Sequence, residues 1–126
     1  MTRSRLAGWA VAGAVTGALA VTGAGVAASP ATTVKLKADG TGQIKFNKKK
    51  LSAPAGKVTI KMKNPSSSGS PHGIALSGNG VKKVGKIVNP GKTSHVTVTL
   101  KKGKYTFFCP VPGHRQLGMV GTLTVK

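Results

Sequence analysis

Short runs of alternating apolar and polar residues recur along the chain from residue 34 onward, and turn residues such as Asn79-Gly80 and Lys102-Gly103 separate them. A period of two places successive side chains on opposite faces of an extended strand. The runs predict eight strands, over Val34–Lys37, Gln43–Phe46, Lys57–Lys63, Gly73–Leu76, Val81–Ile87, Ser94–Leu100, Lys104–Cys109 and Val120–Val125. No convincing helical periodicity interrupts them, so the pattern indicates an all-β sandwich or barrel.

The first 33 residues differ in composition from this alternating region. Two arginines precede an uncharged run that is rich in Ala, Gly and Val and ends in small residues at Ala28. Such a segment is typical of an export signal. We therefore predict an export signal over residues 1–28, a linker over 29–33 and one domain over 34–126, with the protein periplasmic, at the cell surface or secreted. The uncharged run is also long enough to span a bilayer, so its retention as an anchor stays open.

The charge of the chain is strongly positive, because twenty Lys and Arg residues face a single acidic side chain, Asp39, for a formal net charge of +19. Charge does not select a fold, but it favours anionic partners. The densest basic run, Lys48–Lys50, is expected to form a solvated loop, with contact to a polyanion or an anionic membrane surface as the alternative. Five lysines alternate with apolar residues, as on the solvated face of strands: Lys35, Lys37, Lys45, Lys61 and Lys63.

The candidate chemistry centres on Cys109, the only cysteine of the chain. An unpaired cysteine in an exported protein indicates a free thiol, an intermolecular disulfide or a metal ligand. His114 and Met119 follow it in a C-x4-H-x4-M array, through a loop that two prolines and a glycine shape. Thiolate and thioether are soft ligands suited to copper, and imidazole binds copper in both oxidation states. The spacing therefore favours a copper site over a buried, inert cysteine.

A blue-copper centre needs a second imidazole, because its ligand set is two His, one Cys and a distant Met. His72, at the head of the predicted strand Gly73–Leu76, is the best candidate. His95 alternates with apolar residues along its own strand, so we expect it to face solvent. We assign no metal role to Met62.

The sequence from Gly103 to Val125, with its Y-x-F-x-C-P motif followed by His114 and Met119, resembles the C-terminal copper-binding segment of the plastocyanin/azurin group of cupredoxins. Pro71-His72 before an apolar strand is similar to the first histidine ligand of that family. The resemblance implies an eight-stranded Greek-key β-sandwich that holds one type 1 copper through His72, Cys109, His114 and Met119.

Two departures from the family pattern stand out. The family often has Asn after its first histidine, where this chain has Gly73, so the hydrogen bond of that side chain must be absent or supplied by another group. The acidic docking patch of plant plastocyanins is missing as well, so their partner does not carry over to this chain.

These observations predict an exported electron carrier in which one copper cycles between Cu(II) and Cu(I). Four protein ligands leave no open position, and three histidines are too few for further copper sites, so we expect neither enzymatic activity nor a small-molecule substrate. The positive surface predicts acidic redox partner proteins. We do not expect a nucleic-acid partner, and we expect a monomer. Two alternatives stay open: a copper storage or delivery protein, and a basic envelope protein that binds polyanions.

Overall fold

The computed structural model describes residues 31–126, which fold into two β-sheets. The strands are β1 (Thr32–Lys37), β2 (Lys50–Ala53), β3 (Gly56–Lys63), β4 (Ala75–Gly78), β5 (Val81–Val84), β6 (Thr93–Leu100), β7 (Gly103–Phe108) and β8 (Val120–Val125). One sheet has the order β1-β3-β6 and the other β2-β8-β7-β4-β5. The pairs β1–β3 and β2–β8 are parallel, and the remaining pairs are antiparallel. The prediction of an all-β, Greek-key sandwich is confirmed.

The predicted export signal lies outside the described residues. Strand β1 begins at Thr32, so the last two residues of the predicted linker belong to the sheet. Within residues 31–126, no helix has the length and apolar character needed to cross a bilayer.

One apolar cluster joins the inner faces of the two sheets, because alternate residues of each strand point into it. Strand β3 contributes Ile60 and Met62, and strand β7 contributes Tyr105 and Phe107, in phase with Cys109. The Tyr105 hydroxyl donates to the Lys101 carbonyl at 2.7 Å and so fixes the turn between β6 and β7. The start of the strand that leads to the cysteine is therefore tied to the preceding turn.

Seven of the predicted runs overlap an observed strand, but the prediction of a strand over Gln43–Phe46 is wrong. The chain bends there because the Asp39 carboxylate accepts hydrogen bonds from the backbone N–H groups of Thr41 and Gln43. Phe46 is still buried, with its ring centroid 5.5 Å from that of Phe107.

The observed strand that none of the predicted runs covers is β2. It begins within the basic run Lys48–Lys50, which we predicted to be a solvated loop. Leu51 and Ala53 are buried, and the intervening Ser52 is exposed, so the period of two is present but only four residues long. The strand pairs in parallel with β8, from Lys50 opposite Thr122 onward. The predicted solvated loop therefore ends one residue early, at Lys49.

Candidate metal centre

Two of the predicted metal ligands lie at the ends of adjacent strands of the five-stranded sheet. Cys109 follows β7 directly, and Met119 directly precedes β8. The loop between them closes on itself, since the Cys109 N–H donates to the Met119 carbonyl and the Met119 N–H donates to the His114 carbonyl, both at 3.1 Å. The antiparallel pairing of β7 with β8 thus forces the cysteine, the loop histidine and the methionine together.

His72 reaches the same place from the segment that precedes β4. Strand β4 pairs with β7, and Ala75, its first residue, lies opposite Phe108. The residues just before β4 therefore lie alongside Cys109. His72 exchanges two backbone hydrogen bonds with Val88, of 3.1 and 2.8 Å. Its side chain is fully buried, so a pair of backbone bonds holds a ring that solvent does not reach.

The ligand atoms of three of these residues converge, all within 4.8 Å of one another. The two Nδ1 atoms of His72 and His114 are 3.3 Å apart, and the Cys109 Sγ lies 4.0 Å from the first and 3.6 Å from the second. Metal bonds of about 2.0 Å to nitrogen and 2.3 Å to sulfur, in a trigonal plane, separate the nitrogens by about 3.5 Å and nitrogen from sulfur by about 3.7 Å. The triangle therefore has the size that a single metal ion needs.

Met119 completes a set like that of a type 1 copper site. Its side chain is fully buried and belongs to the same apolar cluster as Cys109. Two His, one Cys and one Met are the donors that a blue-copper centre uses. The donor chemistry of the site thus fits copper, the cofactor that the sequence predicted.

The protonation states of the two histidines suit a bound cation, whereas the thiol must first lose its proton. Burial lowers the pKa of His72 below its ordinary 6.5, and the charge of His114 lowers it further; burial also lowers the pKa of His114. Both rings are therefore neutral at pH 7 and offer a lone pair. Burial raises the pKa of the Cys109 thiol above 9.0, although N–H donation by Gly73 and Val111 opposes this. A bound metal must displace the thiol proton, because the thiolate is the ligand.

Gly73 contributes through its backbone. Its N–H points to the Cys109 Sγ at 3.4 Å. A Cβ at this position would lie 2.8 Å from the Lys86 carbonyl oxygen and 3.2 Å from the Pro110 ring. The asparagine that the family often has here would therefore not fit without movement of the chain.

Asn64, which the sequence indicated only as part of an Asn-Pro turn, supplies the cross-link between loops. It is fully buried, and its side-chain NH2 group donates to the carbonyls of Ser70 and Val88, at 2.9 and 3.0 Å. Its Oδ1 accepts from the Ser68 hydroxyl. Because Ser70 and Val88 flank His72 in sequence and in the backbone pairing, Asn64 fixes the segment that carries this ring. A polar residue before a flexible serine loop was the only signal for it in the sequence.

The loop histidine is the most accessible of the four residues. His114 is half-buried, whereas His72, Cys109 and Met119 are buried. Leu117, three residues beyond it, has 68% of its surface exposed. The guanidinium of Arg115, the residue after His114, lies 4.3 Å from the centroid of the Phe108 ring. The centre therefore reaches solvent along its loop.

The remaining histidine of the described chain, His95, is exposed on the outer face of β6, as predicted. It does not belong to the group of potential metal ligands. Met62, to which we assign no metal role, is a fully buried residue of β3.

Comparison with known proteins adds independent observations. A family model described as copper binding proteins of the plastocyanin/azurin family matches residues 32–126. An auracyanin B structure superposes with a TM-score of 0.67 at 28% identity, covering 78% of this chain and 91% of that one. Dithionite-reduced auracyanin from Roseiflexus castenholzii superposes with a TM-score of 0.64 at 26% identity, covering 79% and 99%.

One relative is known by its role toward copper. The copper-resistant cuproprotein CopI of Pseudomonas aeruginosa is 49% identical over 41 residues, which are 32% of this chain and 23% of CopI. The match thus spans less than a quarter of that relative's length.

Proposed function

The chain belongs to the plastocyanin/azurin family of copper-binding proteins, and from the geometry of its centre we propose that it carries single electrons between redox partners. In this proposal His72, Cys109, His114 and Met119 are the ligands of one type 1 copper. The observation that carries it is the convergence of two imidazole nitrogens and one thiol sulfur within 4.8 Å. When bound, copper supplies a one-electron couple between Cu(II) and Cu(I).

The protein's own residues hold the donors in fixed positions. The backbone pairs His72–Val88 and Cys109–Met119 join the ligand segments to the sheet. Asn64 adds hydrogen bonds on both sides of His72. Donors held this firmly keep one arrangement for both oxidation states, and outer partners of this kind tune a metal site. Met119 would be the fourth and weakest donor to the copper, and its thioether would adjust the potential.

His114 would be the point of electron exchange with a partner. It is the one proposed ligand that is not fully buried, so its ring offers the shortest path from the centre to a docked protein. The exposed Leu117 beside it supplies apolar surface for such a contact.

The proposal includes no substrate chemistry. Four protein ligands leave no position for a substrate on the metal. The only acidic side chain of the chain, Asp39, accepts hydrogen bonds from Thr41 and Gln43 in its own turn and is not free to act as an acid or base near the centre.

Export, a monomeric state and acidic redox partners complete the proposal. The net charge of +19 would attract an acidic partner over distances of about 10 Å at 0.1 M salt. The rate of electron transfer to such a partner is then expected to fall as salt is added. A rate that is independent of salt would count against an acidic partner.

A second candidate is a role in copper resistance, and the similarity to CopI favours it. In that role copper would leave the protein for an acceptor, whereas an electron carrier keeps its copper through many cycles. Mixing the Cu(I) protein with a chelator and, separately, with an oxidised redox partner distinguishes the two. Fast copper loss would support resistance; fast oxidation with retained copper would support electron transfer.

The first experiment is the addition of Cu(II) to the purified protein. We expect an intense blue absorption and narrow copper hyperfine splitting at one equivalent, because the Cys109 thiolate bonds to the metal. The variant Cys109→Ser keeps the size of the side chain and is expected to lose the colour entirely. A blue serine variant would overturn the ligand assignment, and a pale wild-type complex would leave only ordinary copper binding.

A further inference from the structure

The outer surface of the three-stranded sheet carries four lysines that lie opposite one another. Lys35 on β1 is the register partner of Lys61 on β3, and Lys37 is the partner of Lys63. All four side chains are exposed, while the residues between them on each strand are buried. We call these four residues the lysine face.

The paired lysines differ from lysines that are scattered over a protein surface and only keep it soluble. Like charges directly opposite on neighbouring strands destabilise a sheet, and neighbouring strands lie only about 4.8 Å apart. The one acidic side chain of the protein, Asp39, accepts hydrogen bonds from Thr41 and Gln43 in its own turn. These hydrogen bonds lower the pKa of the Asp39 carboxyl, and the lysine whose charge lowers it further is Lys45, which is not part of the cluster. Four positive charges are therefore held close together with no carboxylate of the described chain paired to them.

No large apolar side chain is exposed on the lysine face. Thr93 and His95 on β6 lie opposite Lys63 and Lys61. A shallow cavity of about 320 Å³ on this face is lined by the four lysines, Thr93 and Leu36, and Leu36 is itself buried. The large apolar residues that are exposed in the described chain are Val84, Ile87 and Leu117. They belong to other elements, so the lysine face has no apolar side chain to insert into a bilayer.

In the described chain, the one ring that borders the lysine face is the imidazole of His95, opposite Lys61. The phenylalanine and tyrosine rings are buried and are not available for stacking on bases: Phe46, Tyr105, Phe107 and Phe108. Proteins that bind single-stranded nucleic acid combine positive charge with several exposed aromatic rings, on which successive bases stack. A single imidazole does not provide such a series.

We propose that the lysine face is a docking site for a linear polymer of phosphate groups that lacks stacked bases. Lysine ammonium groups bind phosphate as point charges, and the two opposed pairs lie two residues apart, about 6.7 Å along the strands. Neighbouring phosphates of such a polymer share a bridging oxygen and lie closer together than this spacing, so non-adjacent phosphates of one extended chain can meet the two pairs at the same time. Strands β1, β3 and β6 supply none of the four proposed copper ligands, so docking leaves the copper centre free.

The test uses the full, copper-loaded protein and inorganic polyphosphate of defined chain length, with affinity measured over a series of salt concentrations. The first variant replaces the lysine face: Lys35→Gln, Lys37→Gln, Lys61→Gln and Lys63→Gln. The control removes the same charge from exposed positions elsewhere: Lys82→Gln, Lys83→Gln, Lys101→Gln and Lys102→Gln.

Each lysine contact to a flexible polyanion contributes about 0.7 to the slope of log affinity against log salt. We expect the lysine-face variant to lower that slope by about 3 and to bind at least tenfold more weakly than the control. The control is expected to lower the slope by less than about 1. Unchanged blue absorption in both variants would show that each is folded.

Equal losses in the two variants would overturn the proposal, because total charge alone would then explain binding. Tighter binding to phosphatidylglycerol vesicles than to polyphosphate would also overturn it, in favour of a membrane contact. So would a preference for single-stranded DNA of equal charge. Replacement of the four lysines by arginine is expected to keep the binding, since it keeps the charge.

Discussion

The five-stranded and three-stranded sheets share one core, but the first carries buried candidate metal ligands and the second carries exposed lysines. The larger sheet ends at the metal centre, where Cys109 and Met119 flank neighbouring strands and His72 precedes a third. The smaller sheet contributes no proposed ligand. Its lysines point outward, and in the lysine face the two lysines of β1 lie opposite the two lysines of β3. The first region depends on burial and fixed bonds, and the second depends on exposure and charge.

The distribution of buried polar side chains marks the same division. In the described chain they gather near the centre: Asn64, Ser68, His72 and Ser94. Ser94 lies on the smaller sheet, but its hydroxyl donates to the Lys86 carbonyl and accepts from the Ile74 N–H, beside the ligand segments. A buried polar group costs stability unless it is hydrogen-bonded, so these residues are retained where they hold the ligands. The two regions can therefore be altered separately.

The largest expected effect is a loss of copper affinity, and it compares two histidines: His72 at the metal centre and His95 on the smaller sheet. His72→Ala removes one corner of the ligand triangle, and we expect copper affinity to fall by more than 100-fold, beyond the 10- to 100-fold that loss of an outer partner causes. His95→Ala changes only an exposed residue of β6 and should leave affinity unchanged. Competition with a chelator of known affinity measures both. Equal losses would place His72 outside the site.

Two asparagines give the next comparison. Asn64→Ala leaves the carbonyls of Ser70 and Val88 without their buried donor, and we expect a loss of about 3 kcal/mol in the free energy of unfolding. Asn47 accepts one exposed hydrogen bond, from the Lys37 N–H, so Asn47→Ala should cost less than about 1 kcal/mol. Urea unfolding of the metal-free proteins provides the values.

The copper affinity of the same variants separates two roles for Asn64. If this residue positions His72, Asn64→Ala should also weaken copper binding by about 10- to 100-fold. Reduced stability with unchanged affinity and an unchanged copper spectrum would mean that Asn64 is a packing residue alone.

The four proposed copper ligands could be predicted from the sequence better than the residues that hold them in place. Cys109, His114 and Met119 share one loop, so residue chemistry and spacing were enough to connect them. His72 required resemblance to a family, because only the pairing of β4 with β7 brings it across. Asn64 could not be predicted, since its partners are backbone carbonyls that become neighbours only in the folded chain.

The same limit applies to the smaller sheet. Alternation predicted that the lysines of β1 and β3 point outward, and they do. It could not predict which lysine lies opposite which, because register depends on the pairing of distant strands. Strand β2 was missed because four residues carry too short a period to stand out beside a run of lysines.

Two buried methionines test the tuning of the proposed copper site. Met119→Leu removes the thioether of the proposed fourth donor, and the loss of a donor disfavours the more highly charged Cu(II) state. We therefore expect the blue colour to persist and the reduction potential to rise by about 59 mV, a tenfold change in relative affinity for one electron. Met62→Leu makes the same replacement in strand β3 of the smaller sheet, which supplies none of the four proposed ligands, and should leave the potential unchanged. Cyclic voltammetry of both distinguishes a specific fourth donor from a general change in the core.

The smallest expected effect concerns Lys61, which lies between Lys35 and His95 in the smaller sheet. Lys61→Glu turns an opposed like-charge pair into an opposite-charge pair, so the free energy of unfolding should rise by about 0.5 kcal/mol. The control Lys57→Glu makes the same charge change opposite Thr99.

The salt dependence of unfolding and the control variant together show where a gain in the free energy of unfolding comes from. Screening lengths fall from about 10 Å at 0.1 M to about 3 Å at 1 M salt, so a gain that comes from the opposed pair should shrink in 1 M salt. A gain confined to Lys61→Glu would show that the natural arrangement costs stability, as expected if the lysine face is retained for binding. Equal gains in both variants would mean that only the net charge of the protein matters, and the contrast between the two sheets would then rest on the metal centre alone.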